Sequence, residues 1–90
     1  ATYFYPGLGA CGFTNGNNDF IAALSSAKYQ AEGNFCSRAI RVNYNGRSVV
    51  ATVVDKCPGC GYDDVDLSPA AFSALANLTL GRIPVEWDFI

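Results

Sequence analysis

Short runs of apolar residues alternate with polar ones along most of this chain, and the period is two more often than three to four. Ala1 to Tyr5 alternates and predicts a strand. Residues 6 to 19 are rich in glycine, asparagine and aspartate and predict a loop. Phe20 to Leu24 is a short apolar run, again a strand. Ser25 or Ser26 is placed to cap a short helix that runs to about Ala31. The strongest local signal follows. Ala39 to Tyr44 and Ser48 to Val54 are rich in β-branched residues and flank Asn45-Gly46, a pair that tolerates the positive φ angles of a type I′ hairpin turn. The second arm is apolar nearly throughout, which predicts burial of both its faces. Residues 55 to 65 read as loop. Ser68 then Pro69 is a helix start, hydroxyl cap followed by a ring with its φ already set. The helix Pro69 to Ala76 carries Phe72, Leu75 and Ala76 on one side. From Ile83 to Phe89, apolar Ile83, Val85, Trp87 and Phe89 alternate with Pro84, Glu86 and Asp88. Five or six short strands with two small helices imply a closed or nearly closed β-barrel.

Length and composition narrow this further. Ninety residues make one domain with a modest core. No run of 18 apolar residues exists, so no helical span is expected and the membrane is not a predicted partner. The chain enters strand pattern at Ala1 and reads as a mature, processed form. Net charge is −2, and the six basic residues are scattered. A phosphate backbone requires a dense positive face, so nucleic acid is not expected. A neutral polysaccharide needs no charge match. Histidine is absent. That excludes a Ser-His-Asp triad, a Cys-His dyad and histidine-ligated zinc. Acid–base work would fall to carboxylates, tyrosine, lysine or cysteine.

The four cysteines are Cys11, Cys36, Cys57 and Cys60. A zinc ribbon requires two Cys-x-x-Cys pairs, and one exists. A redox pair is favoured at a helix N-terminus, whereas acidic Gly61-Tyr62-Asp63-Asp64 follows this one and disfavours a thiolate. Two structural disulfides in an oxidising compartment are the better reading. Four cysteines allow three connectivities, and spacing alone does not choose among them. The sequon Asn77-Leu78-Thr79 agrees with secretion and makes Asn77 a glycosylation candidate.

Asp55, Asp63, Asp64 and Asp66 fall within twelve residues. Asp55 sits where a buried strand emerges, and Asp66 just before a capped helix. Barrel strand ends converge on a rim, which would bring these two together. Two carboxylates in a partly apolar groove repel, and one pKa rises. A raised carboxyl would suit protonation of a glycosidic oxygen. Against this, loop aspartates are commonly solvated turn formers, and Asp66 also suits a helix dipole. A calcium site from Asp63, Asp64 and Asp66 lacks the usual loop spacing. No metal or cofactor is expected. Tyr3, Phe4, Tyr5, Tyr62 and Trp87 are candidates for stacking on sugar rings. Trp87 keeps step with Ile83 and Val85 and belongs with the core; Tyr62 sits among polar loop residues and is expected to be exposed.

Three segments together resemble the double-psi β-barrel domain of expansins: Ala1-Thr2-Tyr3-Phe4-Tyr5 leading to Gly9-Ala10-Cys11-Gly12, the strand end Val53-Val54-Asp55, and Asp66-Leu67-Ser68-Pro69-Ala70-Ala71-Phe72. The loop Cys57-Pro58-Gly59-Cys60-Gly61 is similar to that of the single-domain fungal loosenins. The resemblance covers essentially residues 1–90. It implies a six-stranded double-psi barrel with no separate carbohydrate-binding domain. It also favours the pairing Cys11–Cys36, leaving Cys57–Cys60. By resemblance, Asp66 takes the position of a general acid in the family's hydrolytic cousins, Asp55 that of a second groove aspartate, and Thr2 that of a groove threonine. The family's groove tyrosine falls at Cys57, so Tyr62 would have to replace it. The function so implied is secreted, non-hydrolytic loosening of cell-wall cellulose, chitin or a related β-glucan by a monomer. Two alternatives stand beside it: a protease inhibitor or binding module built on the same barrel, and a weak endoglucanase or lytic transglycosylase with Asp66 as acid.

Overall fold

In the computed structural model, which describes residues 1–90, the chain forms six strands, two short α-helices and one 3-10 turn. The strands are β1 (Thr2–Tyr3), β2 (Ile21–Ser25), β3 (Ala39–Tyr44), β4 (Arg47–Cys57), β5 (Val65–Leu67) and β6 (Glu86–Phe89). Helix α1 (Ser26–Glu32) follows β2, and α2 (Pro69–Ser73) follows β5. The spatial order is β1-β5-β2-β4-β3-β6. Two pairs, β1/β5 and β2/β4, are parallel; β2/β5, β3/β4 and β3/β6 are antiparallel. The ends of the sheet meet through reciprocal backbone bonds between Ala1 and Ile83. This closes the barrel and leaves no long unpaired edge.

The β3–β4 hairpin forms as predicted, with Asn45 at φ 53° and Gly46 at φ 83°. Burial along β4 departs from the expectation. Val49, Ala51 and Val53 are buried while Val50 and Thr52 are exposed, so the arm is one-sided as far as Thr52, and both faces are buried only at Val53 and Val54. Its apolar outer residues are β-formers on a solvated face. β4 also runs two residues past Asp55, and Val65–Leu67 is a strand where a loop was expected to reach residue 65. Three residues are too few for a periodic signal to show.

The inner layer joins Ala22 and Leu24 of β2, Ile40 and Val42 of β3, Val49, Ala51 and Val53 of β4, Val65 and Leu67 of β5, and Phe72 of α2. Phe72 is fully buried, with its ring 5.0 Å from that of Tyr3. Ser68 caps α2 by accepting from Ala71 N–H; it also accepts from Ile21 N–H and donates to Asp19 O, tying the helix start to β2. The regular helix ends at Ser73 rather than Ala76. Ser25 holds the N-cap position of α1, but its hydroxyl makes no cap bond. Both disulfides, Cys11–Cys36 and Cys57–Cys60, are formed, and no cysteine is free.

Candidate functional site

Strand register places the expected groove residues in one row. Thr2 of β1 pairs with Asp66 of β5, Asp66 pairs with Ala23 of β2, and Ala23 pairs with Asp55 of β4. Paired positions point to the same face, so Thr2, Asp66 and Asp55 share the outer surface of the barrel. A bulge between Ala22 and Ala23 sets this alignment, shifting Ala23 from Val54 to Asp55. Adjacent strands lie about 4.8 Å apart, so the backbones of Asp66 and Asp55 are separated by about 10 Å. The row lies outside every enclosed depression of the surface.

The two aspartates are used differently. Asp66 is half-buried, and Thr2 Oγ1 donates to its Oδ1 at 2.8 Å. Burial pushes the Asp66 carboxyl above the ordinary carboxylate range, and the Thr2 bond pulls it partly back. The rise was expected from repulsion by Asp55; its cause is desolvation instead. Asp55 Oδ1 accepts from Ala10 N–H and Lys56 N–H, each at 2.8 Å, and Asp55 O accepts from Tyr29 Oη. That carboxylate holds down the 6–19 loop. Gly9 is required at the same contact, because a Cβ there would stand 2.5 Å from Val54 O.

The other candidates are placed as follows. Tyr62 is exposed, as expected, but it is not free: its hydroxyl donates to Glu32, and Lys28 Nζ lies 4.7 Å from its ring centre. Lys28 is buried against Glu32 at 3.0 Å and Asp63 at 3.5 Å, and 5.5 Å from the Trp87 ring. Trp87 is half-buried beside the core, with its indole N–H donating to Asp63 O. Asp64 pairs with Arg82 and accepts from Gly61 N–H. Asp63 and Asp64 therefore secure the 57–65 loop to α1 and to the approach to β6. Asn77 is exposed and accepts from Thr79 N–H and hydroxyl. The Lys28–Glu32 pair was missed in the sequence, although its i, i+4 spacing on a helix was the signal for it.

The one group of metal-type ligands is Cys57, Cys60 and Asp66, whose ligand atoms all lie within 4.8 Å of one another. With the two sulfurs bonded to each other, it offers no thiolate. Chemically, the row presents one carboxyl of raised affinity for a proton, one hydroxyl, and a second carboxylate committed to backbone. It can donate and accept hydrogen bonds with hydroxyl groups.

Comparison with known proteins places the chain. Residues 1–87 match the double-psi β-barrel family model described as lytic transglycolase. Ripening-related protein 6 of Oryza sativa subsp. japonica is 45% identical over 90 residues, covering 91% of this chain and 53% of that protein. The papain inhibitor of Streptomyces mobaraensis is 34% identical over 95 residues, covering 98% of this chain and 66% of that protein. The chain thus spans about half the length of the first of these relatives and two thirds of the second. Among solved structures, the Streptomyces papain inhibitor superposes with a TM-score of 0.87 at 34% identity, over 99% of this chain and 88% of its own. A Clavibacter michiganensis expansin in complex with cellohexaose gives a TM-score of 0.87 at 26% identity, over 99% of this chain and 47% of its own.

Proposed function

The chain belongs to the expansin-like double-psi β-barrel family, and we propose that it is a secreted, non-hydrolytic polysaccharide-binding and loosening protein. Its polymer is cell-wall cellulose, chitin or a related β-glucan, met on the open row of Thr2, Asp66 and Asp55. The observation that carries this reading is the division of labour between the two aspartates. Thr2 donates to Asp66 Oδ1, whereas two backbone amides fix Asp55 through its Oδ1. A glycosidase needs an acid and a second carboxylate, as nucleophile or base. Two carboxylates, each already held through Oδ1, suit hydrogen bonding to sugar hydroxyls without cleavage. Those bonds replace some chain–chain bonds in the polymer and let neighbouring strands slip. Tyr62, fixed through Glu32 and Lys28, supplies an aromatic face next to the disulfide loop. The two disulfides suit an oxidising, extracellular setting.

The test is a pull-down against cellulose, chitin and xylan with sugar release measured in the supernatant. Wild type is expected to bind and weaken fibres of one of them without releasing sugar. Asp66→Ala is expected to fold and to lose both effects; unchanged weakening by that variant would remove the site. Sugar release lost in Asp66→Asn would instead support a lytic activity.

One comparison favours a second reading. The solved papain inhibitor chain is matched over 88% of its length, whereas the solved expansin chain is matched over 47% of its own. Under this reading the exposed loops 6–18 and 56–64, with Tyr5, Leu8 and Tyr62 outward, contact a papain-like protease. Tight inhibition of papain without affinity for any polysaccharide would establish it in place of the first.

A further inference from the structure

Cys57 ends β4, and Cys60 closes the turn behind it, where Cys60 N–H donates to Cys57 O at 3.3 Å. Two intervening residues is the spacing by which paired cysteines commonly grip one metal ion. Here a third ligand type stands beside them: both sulfurs and an Asp66 oxygen fall within 4.8 Å of one another, all half-buried. Thr2 already holds Asp66 Oδ1, which leaves Oδ2 as the free oxygen of an oriented carboxylate. A second observation points to the same place. Ser25 is opposite Cys57 in the parallel register of β2 and β4, so its side chain emerges on the same face. It is 1% exposed, and its hydroxyl has no hydrogen-bond partner. A buried hydroxyl without a partner requires an explanation. No sulfur stands in hydrogen-bond geometry with it while the 57–60 bond is closed.

We propose that reduction of the Cys57–Cys60 bond opens a site for one soft divalent cation, zinc or cadmium, held by Cys57 Sγ, Cys60 Sγ and one oxygen of Asp66. The reduction is thiol–disulfide exchange with a dithiol. The reductant's two sulfurs join, the bond between Cys57 and Cys60 breaks, and two electrons and two protons pass to the protein. The cation then displaces the two thiol protons to solvent. Without it, two thiolates and a carboxylate at one half-buried spot repel one another. A dipositive ion removes that repulsion. The sulfur ligands select zinc or cadmium over magnesium and calcium. Three protein ligands leave the fourth position to water, which the half-exposed rim admits. Cys11 and Cys36 lie outside the cluster, bonded to each other, with Cys11 Sγ 3.8 Å from Tyr29 Oη.

The test uses cadmium alone and is independent of the sugar reading, so the two fail separately. The whole chain is reduced with a dithiol, desalted without air and titrated with cadmium, following thiolate-to-metal absorption in the ultraviolet. The reduced protein is expected to take up one equivalent and the oxidised protein none. Cys57→Ser/Cys60→Ser, which keeps the other two cysteines, is expected to lose the absorption. Thr2→Val is expected to weaken binding about tenfold, the scale for losing an outer hydrogen bond to a metal ligand. Asp66→Asn is expected to weaken it further. A reduced chain that had unfolded would bind through thiols with no regard for residue 66. Equal affinity of Asp66→Asn and wild type, no uptake on reduction, or full uptake by the double serine variant would each overturn the proposal.

Discussion

Removing the two disulfides one at a time should separate their contributions by a factor of two. Cys11 and Cys36 are 25 residues apart, and Cys57 and Cys60 are 3 apart. If a cross-link acts on the entropy of the unfolded chain, the stabilisation at 25 °C is about 3.5 kcal/mol for the long loop and about 1.6 kcal/mol for the short one. Unfolding entropy for a chain of this length is about 190 cal/mol/K, so each kcal/mol moves Tm by about 5 °C. Cys11→Ser/Cys36→Ser should therefore melt about 18 °C below wild type, and Cys57→Ser/Cys60→Ser about 8 °C below. The folded state gives reason to expect this model to hold. The loop bearing Cys11 is also held by Cys11 N–H to Val54 O and Ala10 N–H to Asp55, so it stays docked when the bridge is cut. The loss then falls on the unfolded state. Thermal melts by circular dichroism at pH 7, with reversibility checked, measure the ratio. Equal losses, or a larger loss from the short bridge, would refute the entropic argument and place the stabilisation in native contacts.

Three other changes follow from particular contacts. Asp66→Asn should raise Tm at pH 7 and lose that advantage towards pH 3. The folded pKa of Asp66 lies above its unfolded value, so wild type loses stability as pH rises through the folded pKa, while asparagine does not; a difference that does not change with pH would contradict desolvation as the cause. Gly9→Ala puts a methyl 2.5 Å from Val54 O and should cost about 1–3 kcal/mol, read as a Tm lowered by about 5–15 °C. Lys28→Met keeps the stem but removes the ammonium from Tyr62, Trp87 and Glu32; it should cost about 1 kcal/mol and raise amide exchange in residues 57–65 before other segments. Uniform exchange across the barrel would argue against the loop-clamping role.

The sequence makes some elements legible and leaves others silent for physical reasons. The Asn45-Gly46 turn and the Ser68-Pro69 helix start are local: a few residues determine the backbone angles, so they are read correctly. The alternation of Ile83 to Phe89 also holds, with Ile83 buried, Val85, Trp87 and Phe89 half-buried, and Pro84, Glu86 and Asp88 exposed. β5 was not legible. Three residues show no periodicity, and Val65–Leu67 is a strand because β1 and β2 lie on either side of it. β4 misleads in the other direction, since Val50 and Thr52 favour strand without being covered. At the site, Asp55 and Asp66 were legible from their places at a strand end and before a capped helix, whereas Thr2 and support for the Cys11–Cys36 pairing came from resemblance to a family. Composition alone did not distinguish Asp55 from Asp66, because the difference lies in which backbone amides reach each carboxylate.

That difference bears on what the row of Thr2, Asp66 and Asp55 can do chemically. Asp55 and Asp66 are one strand apart on either side of Ala23, and their backbones stand about 10 Å from each other. Inverting glycosidases place their carboxyl groups about 6.5–9.5 Å apart with water between them. Side chains on such a row can span that range only if both are free to turn inward. Asp55 is not: Oδ1 is fixed by the Lys56 amide of β4 itself and by the Ala10 amide on a loop that Cys11–Cys36 and Gly9 hold against β4. Freeing it means lifting the loop, which exposes Val54 and breaks the Cys11–Val54 backbone bond. The stability of the 6–19 loop and the commitment of Asp55 to backbone are thus one arrangement. Asp66 is left beside Thr2, with burial favouring its protonated form.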